Sequence, residues 1–151
     1  FGLASPSRPS HKPAIMEALT AKIQEALAEG GPPAALKAAE DAVASASAGT
    51  KVMSMAALSE CQLGVGSQLD ALKTAQEALQ LAQSSQDRQG EAVASLAAAN
   101  ATLFKDPTSA VALARKAIER FQAMRDKHGE ARALITVSNG EKIPEKATKA
   151  A

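Results

Sequence analysis

The sequence predicts an all-α chain built from repeated antiparallel helix pairs, and three observations carry that prediction. About a quarter of the 151 residues are alanine and only 2% are aromatic, a composition that favours helix because Ala is the strongest helix former. Glycine and proline fall in pairs and clusters that punctuate the chain at helix length (Gly30-Gly31-Pro32-Pro33, Gly64 with Gly66, Asp106-Pro107). Finally, residues 69–139 match themselves at an offset of thirty-nine. Gln83, Asp87, Gly90, Glu91 and Asn100 fall on Gln122, Asp126, Gly129, Glu130 and Asn139. In so alanine-rich a chain these polar and glycine matches weigh more than the alanine ones. A fixed period of this size marks a helical array in which each unit buries its apolar face on its neighbour.

Residues 1–12 precede the helices as an expected extended tail. Pro6 and Pro9 alternate with Ser5, Ser7 and Ser10, Arg8 and Lys12 are the formal charges, and no acid appears before Glu17. Such a stretch cannot bury enough surface to fold alone. Phe1 and Leu3 are its apolar anchors, and they are expected to hold it against a neighbouring protein or in the domain's own groove.

Residues 13–151 are expected to form about three and a half helix pairs. Pro13 suits a first turn, and Ile15, Leu19, Ile23 and Leu27 form a ridge along one face. Gly30-Gly31 ends that helix and Pro32-Pro33 starts the second, which carries Ala35, Ala39 and Ala42. These alanines precede Ala71, Ala75 and Ala78 by thirty-six residues, so they mark a further copy with a shorter connection. A third helix is expected over 51–63, and a fourth from Ser67, with Asp70 completing a capping box, to about 85. Asp87 caps a fifth over 88–104. Asp106 followed by Pro107 opens a sixth that runs to about 127. Asp126 caps a seventh over 129–139, which Gly140 closes, and Pro144 starts an eighth.

Several function classes find no support. Net charge is +1, so no global field draws nucleic acid or a membrane surface, and stacking aromatics are scarce. A lone cysteine, Cys61, permits neither an internal disulfide nor a Cys-based zinc site. It is expected as a buried thiol, and Met53 and Met55 as packing. His11 and His128 have no second ligand near them in sequence. There is no phosphate-cradling loop, framed carboxylate pair or nucleophile beside a base. Hence no catalysis, cofactor or metal is expected.

The sixth helix is the one charged surface of note. At about 100° per residue, Ala110, Ala114, Ala117, Phe121 and Met124 make its buried face. Lys116 and Arg120 then share one flank as a like-charge pair, while Arg115 can pair with Glu119. Lys116 and Arg120 are therefore candidates for an acidic partner surface.

Small residues spaced 0, 4 and 7 on each second helix, at Ala35-Ala39-Ala42, Ala71-Ala75-Ala78 and Ala110-Ala114-Ala117, resemble the tetratricopeptide repeat. Twelve residues before each first alanine the family has a small residue. Ser59 and Ala98 comply and Ile23 departs. The family's aromatic positions and closing proline are mostly missing, and the period is longer. The Asp-x-x-Gly-Glu-Ala at 87–92 and 126–131 looks like the longer-helix variety. This resemblance implies a short right-handed α-solenoid whose first helices line a concave groove. It implies further that Asn100 and Asn139 grip the backbone of a bound peptide, an amide having both donor and acceptor.

The expected function is a non-catalytic scaffold for other proteins: an accessory or stabilising subunit of a larger assembly or, alternatively, a free peptide-binding adaptor. A helical-repeat RNA binder is a third and less favoured class. No nucleic acid partner is expected. No apolar run approaches membrane-span length, although peripheral contact with a membrane complex fits. The Ser/Pro-rich, acid-free opening resembles the mature-side start of plastid-targeted precursors in algae with red-algal-derived plastids. A plastid location, in a photosynthetic complex, is the expectation, with cytoplasm the alternative.

Overall fold

A computed structural model describes residues 11–143. Among them the chain forms six α-helices and no strand: α1 (His11–Ser45), α2 (Lys51–Gly64), α3 (Gln68–Ser84), α4 (Arg88–Thr102), α5 (Pro107–Ala123) and α6 (Lys127–Lys142). The first two expected helices are the two limbs of α1. They meet at Gly31, whose backbone sits at φ 74° and ψ −168°, a region open essentially to glycine alone. Pro32 and Pro33 then begin the second limb, where missing N–H donors do least harm. The expected tail segment with Phe1 and Leu3, and the expected eighth helix from Pro144, lie outside the described residues. α1 opens at His11, two residues before the proline expected to start it.

Three interhelix turns share one construction. Gly66, Gln86 and Arg125 each take a left-handed conformation, with φ 84°, 53° and 57°. In each case the next backbone N–H reaches back to the preceding helix: Ser67 N to Gln62 O at 2.8 Å, Asp87 N to Ala82 O at 2.9 Å, and Asp126 N to Phe121 O at 2.9 Å. This is the Schellman closure, which satisfies the last carbonyls of a helix. Asp87 and Asp126 then cap the following helix, their Oδ1 atoms accepting from Gly90 N at 3.0 Å and Gly129 N at 2.9 Å. Asp106 caps α5 through Ser109 N at 3.1 Å. Ser67 makes no side-chain cap bond, so the expected capping box is absent and the turn at Gly66 starts α3 without it.

Two helix ends differ from the sequence reading. α5 stops at Ala123 because Arg125 turns left-handed. α6 continues through Gly140 to Lys142 instead of closing at Asn139. Gly140 is buried, and a Cβ there would lie 2.5 Å from Val111 Cγ2. It serves a close helix crossing instead of a helix end.

Each helix packs on the next, α2 also packs on α4, and α4 on α6. The alanine frame lies at these crossings. Ala71, Ala75, Ala78, Ala110, Ala114 and Ala117 have no exposed surface. Ser59 and Ala98 are buried too, and Ser59 Oγ donates to Ala71 O at 2.7 Å, tying α2 to α3 at the crossing itself. α4 is the hub: residues 94–99 are buried all round, which a helix of small residues permits. Phe121, buried on α5, joins Leu96 of α4 and Ala133 of α6 in one apolar cluster.

Candidate groove on the first-helix side

The N-terminal limb of α1 is the least embedded part of the fold. Of its expected ridge only Leu19 is buried; Ile15 and Ile23 are half-buried, and Leu27 is 46% exposed. α1 packs on α2. Beside this limb lies an open cavity of about 510 Å³, lined by Met16, Ile23 and Leu27 of α1, Ala57 and Cys61 of α2, and Val93 of α4.

At its far side the groove meets α6. His128 and Arg132 line it there, and Arg132 forms an ion pair with Glu60 of α2, so charge spans α2 to α6 beside Val93. Both partners are partly exposed, so the pair is worth little stability. It fixes the polar rim of an otherwise apolar groove. Burial, followed by the neighbouring Glu60 carboxylate, pushes the Cys61 thiol above its ordinary range. The thiol is half-buried, not fully buried as expected, while Met53 and Met55 are buried on α2 as packing.

The other sequence candidates fall into three groups. Asn100 is half-buried, and its Oδ1 accepts from Thr136 Oγ1 at 2.7 Å, a link between α4 and α6. One side of the amide expected to grip a peptide is thus taken up within the fold. Asn139 is exposed, seven residues from Arg132 and hence on the same face of α6.

Arg120 is not an unneutralised cation. Its guanidinium pairs with Glu91 of α4 and reaches Ser95 Oγ at 3.5 Å. The flank projection placed it correctly on α5 but could not see the acid on the neighbouring helix. Arg115 likewise pairs across helices, with Glu141 at 2.8 Å, and not with Glu119. Lys116 is exposed and makes no ion pair among the described residues. Phe1 and Leu3 lie outside those residues.

Which side chains stay open was not legible in the sequence, where Ile15 to Leu27 reads as a core ridge.

Among the described residues no group of three or more His, Cys, Asp or Glu side chains gathers that could hold a metal ion. None of their helices is long and apolar enough to cross a membrane. Among the described residues, fold and site together define sequentially packed helices with an apolar groove rimmed by an ion pair. No protein-family model matches the chain, and no curated protein matches it.

Proposed function

We propose that this chain is a non-catalytic scaffold, a tetratricopeptide-like array of helix pairs whose groove receives an extended apolar segment of another protein. The observation that carries the proposal is the cavity between α1, α2, α4 and α6, with Met16, Ile23, Leu27 and Val93 partly open to solvent in one place. Apolar surface gathered in a concavity, with a few polar groups at its edge, is the usual form of a binding site. Support for the array comes from the packing of each helix on the next and from burial of the alanine frame. Residence as a subunit of a plastid assembly belongs to the same reading and is supported by the composition of residues 1–12 alone.

The test replaces Leu27 and Met16 together by Glu. Both sit on the groove wall and neither is buried, so helicity and denaturant midpoint are expected to stay near wild type. Recovery of co-purifying protein from native extract of the source organism is expected to fall severalfold. Equal recovery by mutant and wild type contradicts the groove as the binding surface. Lys73→Glu, exposed on α3, serves as the comparison surface.

A further inference from the structure

We propose that copies of this chain associate head to tail, the outer face of α6 in one copy receiving the outer side of the N-terminal limb of α1 in the next. The surface that wants an occupant is on α6. Leu134 is 50% exposed and Ile135 60%, and Ala131 and Ser138 beside them are exposed too.

The repeat tells what this architecture places on such a face. Thirty-nine residues earlier, on α4, the same positions are Ala92, Ser95, Leu96 and Ala99, and all four are buried. α5 supplies much of their cover. Ala117 and Phe121 cluster with Ala92 and Leu96, Ala114 clusters with Ala99, and Arg120 reaches Ser95 Oγ at 3.5 Å. Among the described residues, then, α6 leaves open the face that α4 closes with a helix. The helix that closes it presents alanines spaced 0, 4 and 7, because a close crossing admits only small side chains.

The same spacing recurs, uncovered, on the N-terminal limb of α1. Ala14, Ala18 and Ala21 are all exposed. At about 100° per residue they lie on the side of the limb turned away from buried Leu19 and from the groove wall of Met16, Ile23 and Leu27. A second copy can therefore set these alanines on Ile135 and Ser138, as α5 sets Ala117 and Ala114 on Leu96 and Ala99. α1 packs on α2, and α6 on α5 and α4. Each outer surface faces away from those neighbours, so the contact joins separate copies.

Charge favours the same pairing. Glu17 and Glu25 are exposed beside the alanines and make no ion pair among the described residues. Lys142 stands at one end of the α6 face, exposed and likewise without an ion pair among them; Lys127, paired with Glu130 of its own helix, stands at the other. An acidic alanine face thus meets a basic Leu/Ile face, while two copies of either face are like-charged. Because the contact joins unlike surfaces, it extends from copy to copy.

Sedimentation equilibrium of the full chain at rising protein concentration tests the proposal. The average mass is expected to climb past that of a dimer, and to climb less in high salt, which screens the charges. Ala18→Lys and Ile135→Lys alter exposed positions, so circular dichroism of both is expected to match wild type. Each variant alone is expected to associate at least about tenfold more weakly. An equal mixture of the two is expected to form a one-to-one complex and stop there. It joins the intact α6 face of Ala18→Lys to the intact α1 face of Ile135→Lys and leaves no further intact pair.

A monomeric mass at every concentration overturns the proposal. If Ala18→Lys associates as wild type does, α6 pairs with something other than α1, and head-to-tail contact is overturned. A mixture that stays monomeric overturns it too. Both substitutions lie off the Met16 and Leu27 wall, so none of these results bears on the groove reading.

Discussion

Glycine 129 shows what the recurring Asp-x-x-Gly-Glu-Ala is for. Asp126 caps its amide, and the ring of Phe121 lies where a Cβ would be, 2.4 Å from Cδ1. Gly90 does the same beside Asp87 and Val52. Cap and close contact thus require Asp and Gly three residues apart. The glutamate that follows makes contacts of its own. Glu91 holds Arg120, and Glu130 accepts from Gln122 at 2.8 Å and Lys127 at 3.1 Å. The most conspicuous repeats in the sequence are therefore joints between helices. Gly129→Ala must move the Phe121 ring, and a cost of about 1–3 kcal/mol is expected in urea unfolding. An unchanged midpoint would mean the ring is not held there. The acids add a pH dependence. Bonds from Gln122 and then Lys127 hold Glu130 below its usual 4.5, and bonds from Ser109 hold Asp106 below 3.8. Each pKa is lower in the folded state, so each contributes stability that is present above the ordinary value and lost as pH falls through the folded one. The denaturant midpoint is expected to decline as pH falls below about 5, less steeply in Glu130→Gln and Asp106→Asn. A decline identical in these variants contradicts the assignment.

At the scale of helices, the sequence disclosed packing and hid exposure. The 0, 4, 7 alanine spacing located the crossings because a close approach admits only small side chains, and that constraint is written in one helix at a time. Ala114 meets Ala99 and Val137, and Ala75 meets Ala56, Ala97 and Ala98. Leu at either place is expected to overpack and to cost about 1–3 kcal/mol by denaturant midpoint. If both mutants unfold with the wild type, the frame is misassigned. Charge pairing was legible only within a helix. Arg120 with Glu91, and Arg115 with Glu141, are 29 and 26 residues apart, and choosing those partners needs the interhelix register. Gly140 misled for a related reason. A glycine after Asn reads as a helix end, but Val111 on α5 needs the space, and that demand lies on another helix. The exposure of Leu27 was hidden because an apolar ridge looks the same whether or not a second neighbour covers it.

Over the whole molecule, contacts run from each helix to its near neighbours, with α4 at the centre. The N-terminal limb of α1 leaves Leu27 exposed and Met16 and Ile23 half-buried beside one cavity, apolar surface that it can give to a partner. That is the central claim, and site-specific photocrosslinking tests it most directly. A benzophenone side chain replaces Leu27 on the groove wall or, in a second protein, Glu119 on the exposed side of α5. Both are irradiated in native extract, and the products are mapped by mass spectrometry. The account predicts discrete adducts from position 27 to one partner polypeptide, with none from position 119. Adducts confined to position 119, or an unmodified chain at position 27, would contradict it.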